Sequence, residues 1–298
     1  HKLATQHGTQ RHAYPNFNRV KELIRDGAVG DLEAVHAWGD RQLYKDGYLP
    51  AEGKPPKTLH YDLWLGPAPY HPYNPGYFAG DPGANCLNWN MYWDFGTGQI
   101  GDMGSHTMDL AWNVIDAGIP STIRATGEEY DPEVTPVRLR AKFTHPANSW
   151  RGPIDVTWYQ GGAMPSSPIK FVDLDKVGHG VMFKGSKGFL VSSFDQRVIM
   201  PYGDDSAMTT YQTRSEDELI PPLGDFQKEW RDACKGDLKT SCDLEYAADM
   251  MEQLMLSLVA YRAKDVLEYD SVKGRVTNND KANEYLRKEY RKGWTLNG

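Results

Sequence analysis

The segment "GDMGSHTMDL" holds Asp102 and His106 four residues apart, with Asp109 three residues further on. On a helix this spacing puts all three side chains on one face. A carboxylate one turn from an imidazole can orient it, fix its tautomer and raise its pKa. Such a histidine accepts and returns a proton near neutral pH, which suits removal of a hydroxyl proton as hydride leaves the same carbon. Spacing alone leaves other roles open. Asp102 could stabilise the positive N-terminal end of the helix, and His106 could be a hydrogen-bonded core residue. The triple also has the donor types of a divalent-metal site. Three ligands from one helical face are awkward without further groups, so no metal is assigned.

Aromatic residues make up 12% of the chain, and many lie between Trp64 and Trp93. Flat ring faces in a Pro-rich loop can stack on the apolar faces of a pyranose; equally, they can fill a core or an interface. Trp93 and Asp94 directly precede the chemistry-bearing helix and are the first candidates for a sugar pocket, followed by Tyr73. Arg41, at the end of a strand leading into the loop, could reach a substrate hydroxyl or carboxylate, or be a solvated strand end.

These residues need elements to position them. "HKLATQHGTQ" has the pattern of a short strand. "PNFNRVKELIRDGAVGD" predicts a helix, with Pro15 in its first turn, Val20, Leu23 and Ile24 on one face, and Gly27 and Gly30 ending it. "LEAVHAWGDRQLY" alternates as a strand, with Leu32, Ala34, His36 and Trp38 on one face. Residues 46–98 predict a long ordered loop with one short helix near Tyr61–Leu65. A helix is expected from about Gly101 to Ala117. Strands follow at "TIRATGEEY", "VRLRAKFTH", "IDVTWYQG", "IKFVDLD", "GVMFKGS", "GFLVSS" and "RVIMPYG". "DFQKEWRDACKG" and "CDLEYAADMMEQLMLSLVAYRAKD" predict helices, and the charged tail "NNDKANEYLRKEYRKGW" a surface helix. This order predicts an α+β fold: a large open, mainly antiparallel sheet with helices on one face. Its part-apolar strands make the other face an expected oligomer interface.

Bulk properties narrow the function. The net charge of −7, without basic clusters, argues against nucleic acid as a partner. No apolar stretch is long enough to span a bilayer, so no membrane partner is expected. The opening residues show no signal-peptide pattern, and cytoplasm and periplasm both remain open. Cys86, Cys234 and Cys242 form neither a disulfide framework nor a common zinc pattern. No Gly-x-Gly-x-x-Gly stands between a strand and a helix.

"GDMGSHTMDL" after "WDFGTGQI" resembles the Gly-x-Leu-x-Asp-x-Gly-x-His-x-x-Asp segment of the Gfo/Idh/MocA oxidoreductases. "TQHGTQRH", "VKELIRDGAVGDLEAVHAW", "DLWLGPAPYHPYNPGY" and "EYLRKEYRKGW" also resemble the bacterial-type subgroup, so the resemblance covers nearly the whole chain. It implies an NAD- or NADP-dependent enzyme whose nucleotide-binding domain precedes the part seen here. The missing Glu-Lys-Pro motif and Rossmann domain fit that expectation. Residues 1–10 would be the last strand and crossover of that domain, and residues 11–298 a substrate-binding and oligomerisation domain. The family's Asp-x-x-x-His pair maps onto Asp102 and His106. His106 would be the acid/base, and Asp102 would orient it and hydrogen-bond the sugar. Asp109 would support the substrate site, and Gln10 and Arg11 would face the nicotinamide end of the cleft. The implied reaction is hydride transfer on a sugar, cyclitol or related polyol, by a homodimer or homotetramer. Two alternatives stand beside it. One is a glycoside-cleaving or lyase reaction through a keto-sugar intermediate. The other, for the isolated chain, is a non-catalytic carbohydrate-binding or assembly module.

Overall fold

The computed structural model describes residues 3–79, 88–170, 172–202 and 214–295; Cys86 lies outside them. Helix α1 (Pro15–Arg25) buries Phe17, Val20 and Ile24, and leads to strand β1 (Leu32–Gly39). After α2 (Tyr61–Leu65) come α3 (Gly98–Gly101) and α4 (Met103–Ile115). Six strands follow: β2 (Thr122–Gly127), β3 (Leu139–His145), β4 (Ile154–Gln160), β5 (His179–Gly185), β6 (Gly188–Ser192) and β7 (Arg197–Pro201). Helices α5 (Phe226–Ala233) and α6 (Leu244–Ala263) precede β8 (Val266–Asp270) and β9 (Arg275–Val276).

The strands form one nine-stranded sheet in the order β7-β6-β5-β1-β4-β3-β2-β8-β9. Every pairing is antiparallel except β1 with β4. Alternation along the strands gives the sheet two unlike faces. On the inner face, Val35, Val156, Phe143, Ile123 and Leu267 form a continuous row across the register. These residues are buried under α1, α4 and α6 in one large apolar cluster. Each large side chain buried there contributes roughly 1.5–3 kcal/mol, and this layer fixes where α4 lies.

The outer face is part-apolar, with its polar and apolar parts separated along the sheet. The row Arg124, Lys142, Thr157 and His36 is polar, because the outward positions of β2 and β3 are charged. Only toward β5 and β6 is this face apolar. There Trp38, Met182, Phe189 and Val191 are covered by Leu174, Ile169 and Val172.

Four predicted elements differ. Residues 3–9 are not a strand but pack along α5 and α6, where the His7 N–H donates to the Cys242 carbonyl at 2.7 Å. "IKFVDLD" carries a 3₁₀ turn at Leu174–Lys176 rather than a strand; Phe171 lies outside the described residues. The tail forms a 3₁₀ turn, Asp280–Leu286, and its later described residues are not helical. The helix expected from Gly101 is broken at Asp102 (φ −80°, ψ −91°), which separates α3 from α4.

Candidate active site

The break at Asp102 decides the geometry of the site. Asp102 stands at the cap position of α4 rather than within its spiral, so it does not share a helical face with His106 and Asp109 as the spacing suggested. Its carboxylate receives Arg41 Nη1 at 2.9 Å, with both side chains mostly buried. Burial pushes the Asp102 pKa up, while Arg41 and Arg11 pull it back. Arg41 is thus an ion-pair partner within the site, not a solvated strand end.

His106 is oriented from another direction. Its Nδ1 lies 3.3 Å from Thr9 Oγ1, and the Thr9 hydroxyl donates to Asp109 Oδ2 at 3.4 Å. With that hydroxyl proton committed to the carboxylate, Thr9 Oγ1 is an acceptor, so the consistent tautomer of His106 carries its proton on Nδ1. Nε2 then keeps its lone pair, and among the described residues it has no hydrogen-bond partner. Burial lowers the His106 pKa to about 4; Arg11, His7 and Arg41 push the same way, and Asp109 opposes them. The imidazole is therefore neutral at pH 7 and able to accept a proton.

Asp109 does not line a substrate cleft. It is fully buried, and its carboxylate receives the Tyr246 hydroxyl and His12 Nδ1 (2.9 Å) besides Thr9. A carboxylate engaged by three donors is a fixed anchor. Burial beside it pushes the Tyr246 pKa far up. Sequence spacing missed Thr9, His12 and Tyr246, since none stands near Asp109 in the chain. Three metal-ligand types do gather here: donor atoms of His12, Asp109 and Cys242 lie within 4.8 Å of one another. Asp102 and His106 are not in that group.

Arg11 lies on the short turn Gln10–Ala13, with its guanidinium carbon 4.0 Å from the centre of the Phe194 ring. His179 also faces Phe194, with ring centres 6.2 Å apart, and its Nε2 is 3.6 Å from Asp40. Burial lowers the His179 pKa, so it too is neutral. Gln10 is exposed, and its side chain makes no hydrogen bond among the described residues.

Trp93, Asp94 and Tyr73 belong to a different cluster. Asp94 pairs with His71 Nε2 at 2.8 Å and hydrogen-bonds Tyr48. Tyr73 packs against Tyr61 and Phe78 within the loop's own aromatic core. Trp93 donates its indole N–H to the Asp131 carbonyl at 2.9 Å. It borders a cavity of about 440 Å³ together with Met255, Arg262, Tyr285 and Lys288. No hydrogen bond or ring contact among the described residues joins these three to His106. Their partners lie within the loop, between β2 and β3, on α6 and in the C-terminal segment.

Residues 36–145 match the family model described as "Oxidoreductase family, C-terminal alpha/beta domain" (GFO_IDH_MocA_C2). Over those residues the chain resembles a C-terminal domain of the Gfo/Idh/MocA oxidoreductase type. Its fold is shared by the WlbA dehydrogenase from Bordetella pertussis, solved in complex with NADH and UDP-GlcNAcA: TM-score 0.52, 12% identity, 90% of this chain and 63% of that one. An NAD-binding protein from Listeria innocua gives TM-score 0.51 and 13% identity over 88% of this chain and 63% of its own. The chain therefore spans less than two thirds of the length of these structures. No curated protein matches it in sequence. No helix among the described residues is long and apolar enough to cross a membrane.

Proposed function

We propose that this chain is the substrate-binding part of an NAD(P)-dependent oxidoreductase that acts on a sugar, cyclitol or related polyol by hydride transfer, with His106 as the proton acceptor. The observation that carries this reading is the free Nε2 of a neutral His106, backed through Thr9 by the buried carboxylate of Asp109. A substrate hydroxyl placed against Nε2 gives up its proton to the imidazole as the carbinol C–H bond breaks and the carbonyl forms. The new imidazolium is stabilised through Thr9 and Asp109. The Asp102–Arg41 pair offers a carboxylate oxygen and guanidinium donors to neighbouring hydroxyls, which orients the sugar.

The dinucleotide itself finds no cradle here: the sequence has no glycine-rich turn between a strand and a helix to hold a pyrophosphate. The exposed Gln10 suits an edge contact at most, and we assign the nucleotide-binding domain to sequence preceding this chain. Bound NAD(P) would supply the hydride acceptor. The outer sheet face, left open over β2 and β3, is the surface we assign to pairing with a second copy.

The test is His106→Ala in a protein extended upstream to a nucleotide-binding domain. Hydride transfer, followed by NAD(P)H absorbance, should fall by roughly 10²–10⁴-fold, the usual worth of a positioned general base. An unchanged rate would remove His106 from the reaction.

A further inference from the structure

Two guanidiniums meet at this site, and one carboxylate inside it serves them. Arg41 has that carboxylate, Asp102, at 2.9 Å. Arg11 lies against the face of Phe194, and its Nη1 is shielded from solvent with no hydrogen-bond partner among the described residues. The next carboxylate, Asp40, faces His179, and its side chain is 59% exposed. Arg11 and Arg41 thus share the single carboxylate of Asp102, which leaves an excess positive charge in a partly buried site, and such a charge is costly unless an anion pairs with it. Stacking on Phe194 occupies the face of the guanidinium and leaves donors along its edge, the geometry that suits a carboxylate. A neutral hydroxyl would leave the charge uncompensated. The uncompensated field also reaches His106, where Arg11 adds to burial in keeping the imidazole unprotonated. An anion bound beside Arg11 would cancel that effect and ease proton transfer to Nε2.

We propose that the substrate is a sugar acid, whose carboxylate pairs with Arg11 while the hydroxyl to be oxidised lies at His106. This rests on the redox reading of the same site and narrows its substrate class. An oxyanion at Arg11 could also come from a cofactor phosphate, so the test separates the two sources.

A protein extended upstream to a nucleotide-binding domain is titrated calorimetrically at pH 7 with D-glucuronate, D-glucose and NAD+, as wild type and as Arg11→Gln. Glucuronate is expected to bind about tenfold more tightly than glucose, the size of one charge-assisted contact. Arg11→Gln should erase that difference and leave the NAD+ titration unchanged. Equal affinities for the two sugars, or no glucuronate binding, would overturn the assignment. Loss of NAD+ binding instead of glucuronate binding in Arg11→Gln would overturn it in favour of a phosphate. Should that variant fail to fold, the wild type still decides. Raising NaCl from ~0.05 to ~0.5 M should weaken glucuronate and spare glucose, and equal salt dependence would overturn the proposal. Bound glucuronate should also raise the NMR-measured pKa of His106, and glucose should not. None of these readouts measures hydride transfer, so a failed sugar-acid assignment leaves the redox reading to stand or fall on His106→Ala.

Discussion

Protonation of His145 would set two donors against each other. Its Nδ1 donates to the Gly118 carbonyl at 3.0 Å, and its Nε2 accepts from the Trp112 indole N–H at 3.2 Å, in a fully buried setting. Burial lowers its pKa to about 4, and burial does the same to His36 and His106. An unfolded histidine titrates near ~6.5. The stability tied to these neutral imidazoles is therefore complete above that pH and is lost as pH falls from there toward 4. Melting temperature should decline between pH 7.5 and 4.5 beyond what surface charge gives, and a flat profile would contradict the assignment. At this scale the sequence was partly legible. His106 stood out because its own helix sets the spacing. Its partner Thr9 lies 97 residues away, and Tyr246 lies 137 residues from Asp109, so no local period could reveal the relay. Asp102 misled for the converse reason: a helical period was assumed across a break.

The turn that opens α3 rests on two residues. Asn90, buried before α3, donates through Nδ2 to the Gly98 carbonyl at 2.8 Å and accepts the Thr97 N–H at 3.1 Å. Gly98 takes φ +68°, with Thr135 packed where a Cβ would stand. Gly98→Ala should therefore destabilise the protein by about 1–3 kcal/mol, since the backbone is left-handed and the space is filled. Urea denaturation would show it as a lower midpoint, and an unchanged midpoint would mean that the turn is not fixed here. The main elements were readable because their periods are strong. Helix α1, the strands β1 to β7 apart from "IKFVDLD", and even the five-residue α2 follow from alternation or helical spacing. Strands β8 and β9 were missed because "VLEYD" and "RV" are too short to show a period. "IKFVDLD" has β-branched residues, but it serves as a cover over Trp38 and Phe189 instead of joining the ladder.

Across the whole molecule the two sheet faces carry opposite chemistry. Arg124, Arg140 and Lys142 line the outer face, and of these only Lys142 forms an ion pair among the described residues, with Asp155 at 2.7 Å. Two such faces brought together repel at low ionic strength. If they form the proposed pairing surface, sedimentation velocity should show more dimer at ~0.5 M than at ~0.05 M NaCl. Dissociation by salt would point to another surface. The open, part-apolar face was legible in the strand alternation, but not how its polar part gathers over β2 and β3, because strand order across the sheet cannot be read from the sequence.

Strand β1, parallel to β4 and antiparallel to β5, is the keystone between two runs of hairpins. It is made well before both its neighbours, Ile154–Gln160 and His179–Gly185. Loop-closure entropy must be met before such distant pairing is rewarded. During synthesis this buried central strand must wait with its edges unsatisfied, and that interval is when the newborn chain is most exposed to aggregation and most dependent on chaperones.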